Sequence, residues 1–374
     1  MSRYSIGNTV IVHKDQFSYN AHPTITVLDT GEWIAGFGTS PVQKEQGHPP
    51  DDPLYRTMLT RSSNCGETWE RPYFAPNFDW SGVEPPGLMQ LKDGTLVLTQ
   101  FRFGWYPLEL ARKKREQGEP ISINLPEKGW TEEFTDDEWT LSKYTWARGY
   151  NGLYVHLSDD RGKTFLNTVK INTTPYRDGF TRTAVIEMSD GRVIYPVTEH
   201  HPPTSIHTYL LSSYDQCQTW HPPSLIVKSP QIYFGEPHIA ETSSGDLFCI
   251  LRTSYLGGYL YGCRSVDGGQ TWSVPESTGI FGHPGHLIVL QDSRLLCTYG
   301  RRQKPFGIRA CLSEDNGKTW QTDEEILIRN NLPNGNLGYP TTIEYAPGQL
   351  YVCYYGQEPD GTTCIQGTYV TLKQ

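Results

Sequence analysis

The chain has 374 residues, a net charge of -9 and a pI near 5.7, so it carries no basic field that would draw in a nucleic-acid backbone. It contains no apolar run long enough to span a bilayer, and its opening MSRYSIGNTVIVHKDQ lacks the apolar centre of a secretion leader. The expectation is a soluble, cytoplasmic protein, with no membrane or nucleic-acid partner. Abundant glycine (36), proline (27) and tyrosine (23) fit many short strands joined by tight turns.

Taken in chain order, the elements repeat. IGNTVIVH reads as a strand, and HPTITVLDTGEWIAGF from His22 as two strands around a Gly-containing turn. SSNCGETW, Ser62 to Trp69, follows as a turn of the form Ser-x-Asp-x-Gly-x-Thr-aromatic, with Asn64 in place of the aspartate. The next strand pair, EPPGLMQLKDGTLVLTQFR, starts at Glu84. An insertion of roughly 40 residues, about 106–148, then interrupts the spacing. Its LELARKKREQGE portion reads as a helix, with Arg112 to Arg115 on a solvated face, and the remainder as loop. It is either a surface elaboration or a lid.

The alternation then resumes. SDDRGKTF (Ser158 to Phe165) precedes a pair from Phe180, and SYDQCQTW (Ser213 to Trp220), with Cys217 at the glycine position, precedes a pair from Glu236. SVDGGQTW (Ser265 to Trp272) precedes a pair from His283, and SEDNGKTW (Ser313 to Trp320) a pair from Tyr339. GTYVTL supplies a third strand to the last unit, and the N-terminal IGNTVIVH a fourth. Six strand pairs at a roughly 50-residue period predict an all-β, six-bladed β-propeller with four-stranded antiparallel blades, one domain over 1–374. In each turn, Asp accepts backbone N–H bonds, Gly takes a positive φ, and the aromatic plugs between sheets. The cysteines fall at repeat-equivalent places, such as Cys249, Cys297 and Cys353, on different blades, and read as reduced core residues. No CxxC spacing or Cys/His cluster occurs, so neither metal nor cofactor is expected.

In a four-stranded blade the conserved-form turns mark one rim. The other gathers the starts of first strands and the ends of second strands. The starts are His22, Glu84, Arg182, Glu236 with His238, His283 with His286, and Tyr339. The ends are Arg102, Glu199 with His200 and His201, Arg252, Arg301 with Arg302, and Tyr355. Packing needs none of these polar groups, and their convergence predicts a polar binding funnel for a carbohydrate.

The turns resemble the Asp-boxes of the sialidase superfamily, and the resemblance covers nearly the whole chain. In that family a glutamate opens one blade and an arginine ends its second strand, which Glu236 and Arg252 match, sixteen residues apart. A second arginine matches Arg301 or Arg302, and a nucleophilic tyrosine matches Tyr339 within Gly338-Tyr339-Pro340. The resemblance implies an exo-glycoside hydrolase in which Glu236 takes the proton of Tyr339 and the arginines clamp a carboxylate. Two matches fail: Ala21 stands where the family has its first arginine, and Arg56 where it has the acid/base aspartate. Asp52, beside Asp51, or His22 could supply the acid, and Arg182 or Arg102 a third cation. Glu199 and His200 complete the expected substrate-binding set. Ordinary sialic acid is thus not the expected sugar. A uronate lyase and a non-catalytic carbohydrate-binding propeller are the alternatives.

Overall fold

The computed structural model describes residues 3–42, 51–76, 81–182, 184–199, 206–253 and 256–373, with no side-chain description at 81–85, 151 and 180. The local logic of the repeat is visible at Asp160. Its Oδ1 accepts from Ser158 Oγ and Thr164 N, both at 2.8 Å, while Gly162 N donates to Ser158 Oγ at 2.7 Å. The same bonds recur around Asp215, Asp267 and Asp315. Asn64 keeps the pattern but reverses one bond, its Nδ2 donating to Thr68 Oγ1 at 2.9 Å. Cys217 sits at the glycine position with φ +68°, a left-handed conformation that costs a side chain about 1 kcal/mol or more. The aromatic residues Trp69, Phe165, Trp220, Trp272 and Trp320 pack into the apolar clusters between sheets.

These turns join the outer strands of a β-propeller. Five blades consist of consecutive strands. The first runs Ser18–Val27, Trp33–Pro41, Arg56–Ser62 and Tyr73–Phe74, the fourth Phe234–Glu241, Leu247–Thr253, Tyr259–Ser265 and Glu276–Phe281. The fifth runs Gly285–Val289, Leu295–Arg301, Gly307–Ser313 and Ile326–Arg329. A further sheet is composite: Gly338–Ala346, Gln349–Gln357 and Thr363–Leu372 take the N-terminal strand Tyr4–His13 as their fourth member. Its register runs from Tyr4 opposite Leu372 to His13 opposite Ile365. The innermost strands of the first blade and the composite sheet touch, so the two ends of the circuit meet.

Two blades depart from four strands. In the third, the inner strand is broken into Gly179–Phe180 and Ile186–Glu187, both paired with Val193–Glu199. The break releases Arg182 from the sheet. The second blade, built on Ser81–Gln90, Leu96–Pro107 and Trp146–Ser158, gains Ile121–Leu125 and Gly129–Thr131 from the insertion. The insertion therefore contains a hairpin as well as the expected helix, Leu108–Glu116, and is not loop beyond it. Nor is its basic cluster merely solvated. The Arg112 guanidinium lies 5.3 Å from the Trp139 ring and that of Arg115 3.6 Å from the Phe134 ring, so both cations stack within the insertion. All eight cysteines are free, and seven are buried as expected; Cys65 is exposed.

Candidate functional site

Three inner strands contain the same strained step. His22, Glu236 and Tyr339 have φ values of 55°, 47° and 48°, and each precedes a proline. Sterics disfavour this conformation both for side-chain-bearing residues and before proline. At each place the pairing register shifts, between Ala21 and Thr24, Gly235 and His238, and Gly338 and Thr341. The bulge lifts one side chain out of each ladder, and such strain is characteristic of functional positions.

The lifted side chains meet. Tyr339 donates its hydroxyl proton to Glu236 Oε1, and Arg252 Nη1 donates to both carboxylate oxygens at 2.9 Å. His22 packs edge-on against the Tyr339 ring at 4.3 Å. Arg302 lies 5.7 Å from the same ring, its Nε donating to Leu337 O at 2.9 Å and its Nη2 to Tyr355 OH at 3.0 Å. Arg182 reaches across from the third blade, also 5.7 Å from the ring, and Nη2 donates to Pro340 O at 2.6 Å. The side chain of Glu236 is 5% exposed and that of Arg252 26%, so the pair is reached from solvent past the arginine.

Burial alone would raise the Glu236 carboxyl, but Arg252, the Tyr339 hydroxyl and Arg302 hold it at about 2. Burial first and then the Glu236 charge push the Tyr339 phenol well above its ordinary value, against Arg252 and Arg302. The resting proton is therefore firmly on the oxygen of Tyr339. His283 is brought down to about 4 by burial and then by Arg252 and Arg302, so it is a neutral neighbour at pH 7.

The structure thus gathers Glu236, Arg252, Tyr339, His22, Arg302 and Arg182. It chooses between the paired arginines: Arg301 lies over the Phe281 ring at 5.0 Å, against the outer strand of the fourth blade. Arg102 does not join either. Fully buried, it donates to Gln100 Oε1 and, at 3.2 Å, to Pro76 O, and meets His156 Nε2 at 3.1 Å, between the first and second blades. Glu199 is engaged by Arg177 N at 2.8 Å and by His207 N at 3.1 Å within the third blade. Asp52 accepts from Leu54 N at 2.7 Å inside its own turn. His200 lies outside the described residues.

One residue escaped the sequence reading. Tyr55, fully buried, bonds His22 Nδ1 through its hydroxyl at 2.8 Å. Its ring lies over Gly38, where a Cβ would sit 2.0 Å from the phenol oxygen, so glycine there is a packing requirement. The insertion borders this corner, since Trp146 Nε1 donates to Asp51 O at 3.3 Å and Arg148 lies 3.7 Å from the Asp51 carboxylate. Among the described residues no cluster of His, Cys, Asp and Glu could hold a metal.

A family profile described as a BNR repeat-like domain matches residues 136–352. No curated protein matches the chain. Among solved structures, a protein of unknown function from Dyadobacter fermentans is 26% identical, with a TM-score of 0.83 over 100% of both chains. A sialidase from Streptococcus pneumoniae, 14% identical, aligns with TM-score 0.68 over 97% of this chain and 70% of its own. An α-L-arabinanase from Penicillium chrysogenum, complexed with arabinobiose, is 15% identical and aligns with TM-score 0.64 over 98% of this chain and 99% of its own. At 14% and 15% identity the likeness extends to the fold.

Proposed function

The chain belongs to the BNR repeat-like family, and from that membership and the geometry of the funnel we propose that it is a sialidase-like exo-glycoside hydrolase. We read the five consecutive blades and the composite sheet as a six-bladed ring whose funnel takes the terminal sugar of a glycan. The observation that carries the reading is the Tyr339–Glu236 hydrogen bond with Arg252 on the same carboxylate. The Tyr339 oxygen attacks the anomeric carbon, the glycosidic bond breaks, and the phenolic proton passes to Glu236. His22, against the Tyr339 ring and bonded to Tyr55, is better placed than Asp52 to protonate the departing oxygen.

Three guanidinium groups, Arg252 on Glu236 and Arg182 and Arg302 beside the Tyr339 ring, outnumber the one carboxylate and favour an acidic sugar. Ala21, buried where the sialidase family carries a clamping arginine, argues against ordinary sialic acid. The test is a panel of aryl glycosides, including an aryl sialoside, aryl uronides and neutral sugars, together with uronate-containing oligosaccharides. Release of aryl alcohol from an acidic glycoside, abolished in Tyr339→Phe, supports the reading. Efficient cleavage of the aryl sialoside overturns the specificity, an unsaturated product points to a lyase, and binding without turnover points to a lectin.

A further inference from the structure

Arg182, one of the cations beside Tyr339, also adjoins two histidines that the proposed cleavage does not use. Arg182 is 2% exposed, and its Nε and Nη1 have no hydrogen-bond partner among the described residues. Its Nη2 is taken by Pro340 O. A buried guanidinium with unanswered N–H groups costs several kcal/mol unless something accepts from it.

Next to it lie two imidazoles, His238 from the fourth blade and His286 from the fifth, with ring centroids 4.3 Å apart. Leu287 N donates to His238 Nδ1 at 3.1 Å, and Thr342 N to His286 Nδ1 at 3.4 Å. A ring nitrogen that accepts carries no proton, so in each neutral imidazole the proton is on Nε2. Both rings are neutral: burial and then Arg182 bring His238 to about 3, and burial, His238 and Arg182 bring His286 well below its ordinary value. The two rings are themselves buried, at 6% and 7% exposure.

The polar atoms that Arg182 and the two imidazoles leave uncommitted are therefore donors. Glu236, the anion near Arg182, has both oxygens engaged by Arg252 and one also by Tyr339. The Cys297 thiol, also near Arg182, is held protonated by burial. A water molecule there would need acceptors for its own hydrogens, whereas an anion needs only donors. We propose that the propeller axis is a binding site for a small monovalent anion of the halide class, held by Arg182 Nε and Nη1 and by Nε2 of His238 and His286. The ion neutralises a buried charge that links the third blade to the composite sheet.

The experiment uses the full chain and reads no activity. Sodium bromide or chloride is titrated against sodium gluconate at constant ionic strength, following the melting temperature. A saturable rise on the order of a few degrees with either halide is expected, because a ligand bound only by the folded state stabilises it. In Arg182→Met the rise disappears, and in His238→Gln, which keeps an acceptor for Leu287 N, the halide concentration needed for half the effect increases. Crystals grown in sodium bromide should show anomalous density within about 3.5 Å of Arg182 Nε or Nη1. Superposed halide and gluconate curves, a non-saturating trend that Arg182→Met shares, or an axis without bromide would each overturn the proposal. If Arg182→Met does not fold, the titration and the bromide density on the unmutated chain still decide.

Discussion

A double-mutant cycle on Tyr339 and Glu236 tests the centre of the site without any substrate. Tyr339→Phe keeps the ring against His22 and between Arg182 and Arg302, and removes only the donor to Glu236. The carboxylate keeps Arg252 Nη1 on both oxygens at 2.9 Å, so it is not orphaned. The loss is one hydrogen bond to a charged group, about 1.5–3 kcal/mol. Glu236→Gln removes the anion itself and leaves Arg252 with an amide. Breaking a buried pair costs about 3–5 kcal/mol, and the lower end applies because the Arg252 side chain is 26% exposed. Once Glu236 is gone the phenol has no charge to donate to, so the second substitution should add much less than it does alone. The expected coupling is about 1–2 kcal/mol, read from urea midpoints at pH 7 with unchanged m-values. Additivity within about 0.5 kcal/mol would mean the two side chains do not share a hydrogen bond, and the proton path from Tyr339 to Glu236 would fall with it.

Arg302→Ala should weaken an acidic glycan ligand at least tenfold and lower stability by about 1–3 kcal/mol, since it strips the partner from Leu337 O and Tyr355 OH. Arg301→Ala, over Phe281, should leave calorimetric affinity within about twofold, and the reverse ranking would refute the assignment of Arg302. Ser313→Ala orphans the buried Gly317 N–H and should cost about 1–3 kcal/mol in urea unfolding, with ligand affinity unchanged because the turn is remote from the funnel. Stability should fall as pH drops from about 6.5 towards 4. His156, His238 and His283 have folded values of about 3, 3 and 4. In that window the unfolded chain binds more protons, each such group contributing up to about 1.4 kcal/mol per pH unit. A flat urea midpoint between pH 7 and 4.5 would contradict neutral burial of these rings.

The turns were legible because all their partners lie within eight residues. Ser, Asp, Gly and Thr at fixed offsets satisfy one another, and even Asn64 and Cys217 keep the pattern. The strand pairs were legible through their period, and the composite sheet through the leftover strands at both chain ends. Glu236, Arg252 and Tyr339 could be named because strand starts and ends fix which rim a residue occupies. The proline after His22, Glu236 and Tyr339 was a further signal in the sequence, marking the bulges that lift these side chains.

What the tertiary structure alone decided was direction. Arg301 and Arg302 are neighbours at a strand end, where the pleat no longer dictates which one faces the funnel, and contact with Phe281 or with Tyr355 settles it. Arg102 was expected at a strand end but lies in the middle of Leu96–Pro107 and turns between blades, because Gln100 and His156 offer it partners there. The break in the third blade frees Arg182 to bond Pro340, 158 residues away. Tyr55 reaches His22 only because Gly38 has no side chain in its path. Local hydrogen bonding and period-2 burial are written within a few residues, whereas the aim of a side chain across the axis depends on which distant strand closes the ring opposite it.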